Sequence, residues 1–318
     1  MTPPVIVLGV SRSGTTLLRV MLDRHSELAM PDESFFIPQL ARRHGERPDP
    51  ARFVDDLRRL PTLRDWRVDP EAVAHRLRHG VSLGEAIAAI YYVYAADRGK
   101  RRWGDKTPAY MQHLRLLERL WPHALFVHLV RDGRDAALSL LAMPEGVATR
   151  TWAHPRTAAD FACQWTTEVR AAHALARRVG ARYLEVRYEQ LVAAPEEALR
   201  RICEHLGLAF EPAMLEYAGT VDVSTKPHQQ RLRRPPTPGV RDWRAQMKRA
   251  DVLAFEAIAG DVLAELGYEL LHAAHAAGPG PRARGRLARY LALRAAWNAA
   301  ASAVQRSPLW LRRHPRLV

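Results

Sequence analysis

Eight residues near the N-terminus have the types and spacing to hold an anion: Gly9-Val10-Ser11-Arg12-Ser13-Gly14-Thr15-Thr16. They follow an apolar run that starts at Val5, and they precede Leu17, Leu18, Met21 and Leu22 at helical spacing. A turn between a strand and a helix aims backbone N–H groups and the positive end of the helix dipole at one point. The two glycines have the separation of the triphosphate loop G-x-x-x-x-G-K-[ST], but Thr15 stands where that loop carries lysine. The lysine of such loops contacts the β- and γ-phosphates, so its loss argues against a triphosphatase or kinase. The cation comes earlier, as Arg12. On these residues alone, an ordinary strand–helix turn with a solvated arginine stays open.

Elements able to position such a loop recur along the chain. Apolar runs at Leu125 to Val130 and Tyr183 to Arg187 read as further strands, each followed by a helical pattern. The first of these helices runs through about Leu141. The second starts near Pro195, with Leu199, Ile202, Cys203 and Leu206 at helical spacing and Gly207 as its stop. Residues 37–99 are polar and punctuated by proline, and read as helices flanking a sheet. Another helix is expected from about Asp251 to Leu266, ending at Gly267, and one in the tail from Leu287 to Gln305. Met143 to Thr157 reads as a loop able to cover a site. Strands alternating with helices predict an α/β fold of three layers around a mostly parallel sheet. The expected division is a domain over 1–272 and a basic, Ala/Arg-rich tail over 273–318.

Composition narrows the class. With 318 residues, 47% hydrophobic and 26% charged, the chain can bury a sizeable core and reads as globular. Two cysteines cannot build a disulfide framework, and no apolar run approaches a membrane span. The start of the chain lacks the pattern of a secretion signal, so a cytoplasmic protein is expected. The net charge is +14, but nine arginines between Arg282 and Arg316 leave only +5 for the rest. That mild excess suits a small polyanionic ligand. The tail suggests weak contact with an acidic surface, lipid or acceptor, and a solvated or domain-packed helix is the alternative. No nucleic-acid module is recognised, so no nucleic acid is expected as a partner. A basic membrane- or nucleic-acid-binding protein and a P-loop small-molecule kinase remain the competing classes.

Arg12-Ser13-Gly14-Thr15-Thr16-Leu17 resembles the 5′-phosphosulfate loop of sulfotransferases that use 3′-phosphoadenosine 5′-phosphosulfate (PAPS). The stretch from Gly9 to Pro38 is most similar to the tyrosylprotein sulfotransferase branch, including Met21-Leu22-Asp23 and the acidic pair Asp32-Glu33. The resemblance covers about residues 4 to 270 and implies a P-loop-like fold. It assigns the catalytic base to Glu33, with Asp32 as the alternative. Arg131-Asp132-Gly133-Arg134-Asp135 resembles the family's 3′-phosphate motif, which pairs an arginine with a serine eight residues on; Arg131 and Ser139 match. A helix-entry arginine paired with an aspartate is the bland reading of Arg131.

Trp103-Gly104-Asp105-Lys106-Thr107-Pro108 resembles the segment whose lysine reaches the sulfuryl group, which maps to Lys106; a surface lysine before a helix is its alternative. Arg187-Tyr188-Glu189-Gln190-Leu191 is similar to a structural signature of these enzymes, with Glu189 architectural. Gly239-Val240-Arg241-Asp242-Trp243 is similar to an element that closes over the nucleotide, which makes Arg241 a nucleotide contact. Its Gly-to-Trp spacing is one residue short, and Arg231, Arg233 and Arg234 lie upstream of the family position. Ser224 and Thr225 fall near a family active-site serine.

The implied reaction is an in-line transfer of a sulfuryl group to a hydroxyl, and it sets three tasks. Charge on the bridging oxygen falls to Arg12, Lys106 and the amides of Ser13, Gly14, Thr15 and Thr16. The acceptor proton falls to Glu33, and the 3′-phosphate to Arg131 and Ser139. No metal is expected in it. Among fourteen histidines no metal-ligand spacing stands out, and His25 and His128 read as packing or helix-end residues. The acceptor and the oligomeric state are not legible.

Overall fold

The computed structural model describes residues 2–143, 155–218 and 241–306. Most of the expected covering loop lies outside them, as do Ser224, Thr225, Arg231, Arg233, Arg234 and Gly239. Strands β1 (Val5–Leu8), β2 (Leu28–Ala29), β3 (Arg102–Lys106), β4 (Leu125–Val130) and β5 (Tyr183–Arg187) form one sheet in the order β2-β3-β1-β4-β5. Every pairing is parallel. Helix α1 (Thr15–Asp23) follows the loop after β1. Between β2 and β3 stand five helices: α2 (Ile37–His44), α3 (Pro50–Leu57), α4 (Pro61–Trp66), α5 (Pro70–Ala74) and α6 (Leu83–Ala96). Then come α7 (Leu114–Leu120), α8 (Gly133–Leu141), α9 (Ala158–Val179), α10 (Tyr188–Ala193) and α11 (Pro195–Leu206). The chain continues through α12 (Trp243–Gln246), α13 (Arg249–Glu265) and α14 (Pro281–Arg306).

The prolines of the polar region turn out to be helix starts. Pro50, Pro61 and Pro70 each take the first position of a helix, where a missing N–H costs nothing, and Asp49 and Asp69 cap two of them. Ser82 and Glu85 form a reciprocal capping box at α6. At the far end of α11, Gly207 takes φ 64 and closes the helix as expected.

β1 is buried on both faces, and alternation splits its side chains between two cores. Val5 and Val7 join Leu18, Met21, Ile202 and Leu206, beneath α1 and α11. Ile6 and Leu8 join Ile87, Ile90 and Leu117, from α6 and α7. Full burial of each such side chain contributes about 1.5–3 kcal/mol. The result is the three-layer α/β fold expected, with a sheet parallel throughout.

β3 was not legible as a strand. All five residues of Arg-Trp-Gly-Asp-Lys are buried, and apolar patterning cannot find a strand built mainly from polar residues. Tertiary partners take up some of their polar groups: Arg102, for example, donates to the Leu206 carbonyl at 2.8 Å.

Helix α14 begins at Pro281, six residues before the expected start, and lays Ala283, Leu287 and Tyr290 against the core shared by α9 and α13. Beneath it, Glu168 of α9 is 2% exposed, and its Oε2 has no hydrogen-bond partner. Burial pushes this carboxyl from 4.5 up to about 7, with Arg294 pulling it back. The folded chain therefore keeps a proton that the unfolded chain releases, and stability falls as pH rises from about 4.5 through 7. Glu168→Gln is expected to stabilise the protein at pH values above this window by up to about 3 kcal/mol and to change little below it. Urea unfolding on either side of the window measures the difference.

Candidate active site

The site gathers at the C-terminal ends of the parallel strands, where helices begin and loops open. After β1 the chain turns through Arg12, at φ 72, and Gly14, at φ 87, into α1. Left-handed backbone is costly for arginine and easy for glycine. Gly14 also has no room for a side chain: a Cβ there would lie 2.4 Å from the Tyr188 ring. The Ser13 amide is spent on the Val10 carbonyl at 3.1 Å, which removes it from the expected anion donors. The amides of Gly14, Thr15 and Thr16 have no backbone acceptor among the described residues. They form the open N-terminus of α1.

Two groups of side chains meet this loop. The first comes from β4 and α8. Arg131 is 7% exposed, donates from Nη1 to the Arg12 carbonyl at 3.3 Å, and lies over the Tyr188 ring at 4.5 Å. Arg12 Nε in turn donates to Ser139 Oγ at 3.1 Å. Arg12, Arg131 and Ser139 are thus one cluster, and Arg12 faces the Ser139 side of the loop. Asp132 pairs with Arg134 at 2.8 Å, and the Arg131 guanidinium turns to the loop. Glu189 accepts from the Asp132 amide and from the Tyr268 hydroxyl, both at 3.0 Å, which is the architectural role expected.

The second group comes from β3 and the segment after β2. Lys106 pairs in register with Val7 of β1, which delivers its side chain to the loop from the neighbouring strand. It is 1% exposed, so it is no surface lysine. Its Nζ donates to Thr16 Oγ1 at 3.2 Å and to Glu33 Oε1 at 2.5 Å. Burial pushes the Lys106 pKa below the usual lysine value, against the pull of Glu33. A lysine therefore does stand at this loop, supplied by β3 where a triphosphate loop would carry its own. Asp32 pairs with Arg19 at 3.0 Å, which leaves Glu33 as the member of the acidic pair that meets Lys106.

Sequence reasoning missed what holds this second group. Ser34 is fully buried and donates to Asp105 Oδ2 at 2.7 Å; the same oxygen accepts from the Tyr91 hydroxyl at 2.7 Å. The Tyr110 hydroxyl, 2.7 Å from Ser34 Oγ, also accepts from the Ile37 amide at 3.1 Å. Ser34 follows Glu33 and Asp105 precedes Lys106, so the Ser34–Asp105 pair stands directly behind the Glu33–Lys106 pair. These partners lie 57 or more residues from Ser34 in sequence, and no local pattern announces them. Tyr188 was also missed as a site residue, since its segment signalled only architecture. Arg241 opens the last described stretch, two residues before Trp243, whose amide donates to Asp135 of α8 at 2.8 Å. Among the described residues no hydrogen bond or ion pair joins Arg241 to the loop.

A cradle of open amides, an arginine–serine pair and a lysine–carboxylate pair on this fold define a group-transfer site for an anionic donor. The sulfotransferase family model matches residues 3–212, and the chain belongs to that family. It is 26% identical over 284 residues to protein-tyrosine sulfotransferase 1 of Danio rerio, covering 84% of this chain and 72% of that protein. With protein-tyrosine sulfotransferase 2 of Gallus gallus it shares 28% over 218 residues, 68% of this chain but 54% of the relative's length. Among solved structures, the sulfotransferase domain of the Synechococcus olefin synthase superposes with a TM-score of 0.59 at 25% identity, covering 85% of this chain and 97% of that one. The protein is a sulfotransferase-family enzyme that moves sulfuryl groups, and neither the kinase nor the basic binding protein is favoured.

Proposed function

We propose that this pocket binds PAPS and transfers its sulfuryl group to an acceptor hydroxyl, with Glu33 as the base. The observation that carries the reading is Lys106, which touches the anion loop at Thr16 and the carboxylate of Glu33 at once. The pocket suits such a donor in other ways too. Ser13 Oγ and Arg131 Nε are buried without hydrogen-bond partners, as expected where a bound anion completes the bonding. Gly14 lets the turn pack directly against the Tyr188 ring.

PAPS would supply the sulfuryl group and a nucleotide leaving group. The open amides of α1 hold the 5′ end, and Lys106 stabilises charge as it develops on the bridging oxygen. Arg131 and Ser139 hold the 3′-phosphate, and Arg12 ties that pair to the loop. Glu33 accepts the acceptor's proton. The Ser34–Asp105 pair fixes both working residues from behind.

Phe35 stands two residues beyond Glu33, at φ 56 and 53% exposed. Its neighbours Ser34 and Phe36 are buried and hold it there. We assign it to the acceptor side of the site, which favours a phenol, a tyrosyl group or another hydroxyl on an apolar body. The relatives named as protein-tyrosine sulfotransferases support tyrosyl acceptors as one such class.

Mass-spectrometric screening of hydroxylated metabolites and tyrosyl peptides with PAPS tests the reading. The expected result is a PAPS-dependent gain of one SO3 mass, strongest on aromatic hydroxyls. Gain of a phosphoryl group from ATP in its place would contradict it.

A further inference from the structure

A second constellation lies on the sheet face covered by α9 and α13, three residues before Arg131 along β4. His128 and Glu185 are register partners on β4 and β5, and the two-residue period puts Tyr183 on the same face. His173 of α9 comes down onto them. Glu185 Oε2 lies 3.0 Å from His128 Nδ1 and 2.9 Å from His173 Nε2. The Tyr183 hydroxyl is 2.7 Å from His128 Nδ1 and 3.2 Å from Glu185 Oε2. On the outer side, His173 Nδ1 faces Glu265 Oε1 of α13 at 3.4 Å.

We propose that His128, His173 and Glu185 form a site for a divalent transition-metal ion of the zinc class. Glu265 supports His173 from behind, and the Tyr183 hydroxyl stands beside the fourth position. The donor atoms of the three residues all lie within 4.8 Å of one another. Bonds of about 2.0–2.1 Å place tetrahedral zinc ligands roughly 3.3 Å apart, so modest side-chain rotation completes the shell. Two imidazoles and a carboxylate select zinc and its neighbours over magnesium or calcium. A carboxylate on the outer nitrogen of a ligating histidine is the usual support for such a ligand.

His128 Nε2 is buried without a hydrogen-bond partner, so this ring can carry its proton there and present Nδ1 to an ion. An ion here would clasp β4, β5 and α9, roughly 10 Å along the strand from Arg131, and act on stability rather than in the transfer itself. No spacing in the sequence marks it, because 45 residues separate His128 from His173.

Equilibrium dialysis of the full chain against zinc at neutral pH, with metal analysis, tests the proposal. The expected result is one ion per chain, lost in both His173→Ala and Glu185→Gln. Glu265→Gln should keep the stoichiometry and weaken affinity by about tenfold or more. Cobalt in place of zinc should give the visible absorption of a tetrahedral site in wild type, a readout that stands even if a ligand variant fails to fold. Wild type taking up no ion, variants binding as wild type does, or cobalt without a tetrahedral spectrum would each overturn it. None of these readouts depends on sulfuryl transfer.

Discussion

Glu33→Gln is expected to lower kcat on the order of 10²–10⁴-fold while binding of adenosine 3′,5′-bisphosphate (PAP) is kept. The amide preserves shape and can still accept from Lys106, but it cannot take a proton from an acceptor hydroxyl. Loss of its charge leaves Lys106 less neutralised at the loop, so affinity for an anionic nucleotide should not fall. The separation of turnover from nucleotide affinity is what distinguishes a base from a structural residue. Asp32→Asn is the internal control. Its carboxylate is already committed to Arg19 at 3.0 Å, and that variant should lose much less turnover. Full activity in Glu33→Gln, or a larger loss in Asp32→Asn, would move the base elsewhere.

The second large effect falls on Arg131. Arg131→Ala removes a guanidinium that is 7% exposed and already tied to the Arg12 carbonyl and the Tyr188 ring. Charge-assisted hydrogen bonds contribute about 1.5–3 kcal/mol, so affinity for PAP should fall roughly 10- to 150-fold. The loss should depend on the 3′-phosphate. Adenosine 5′-phosphate, which lacks that group, should bind wild type and variant nearly alike, which gives a coupling between residue and phosphate. Arg131→Lys should rescue little, because a lysine cannot reproduce the fork or the stacking on Tyr188. Equal loss for both nucleotides would make Arg131 a structural residue of the loop.

What could be read beforehand, and what could not, follows from where the information resides. The anion loop, β4 with its arginine, and the stops at Gly207 and Gly267 are local, written in neighbouring residues whose backbone demands are short-ranged. β3 is different. Arg102, Asp105 and Lys106 are charged yet buried, and only tertiary partners make that tolerable, so pattern alone gives no strand there. The delivery of Lys106 to the loop depends on that unseen strand and its register with β1. The network of Ser34, Tyr91, Asp105 and Tyr110 is likewise assembled by folding from three distant segments.

Arg12 shows a subtler limit. Its place in the loop was legible, but its direction, toward Ser139, was set by α8. Nor could neighbouring residues separate Asp32 from Glu33, because the cation each one meets, Arg19 or Lys106, is set by folding.

The central claim is that this loop grips an adenosine nucleotide carrying a 3′-phosphate and needs no triphosphate. Isothermal titration of the wild-type protein with PAP, and separately with ATP and magnesium, tests it most directly. The account predicts saturable binding of one PAP per chain and no comparable heat from ATP with magnesium. Binding of ATP with magnesium alone, or of neither nucleotide, would contradict it.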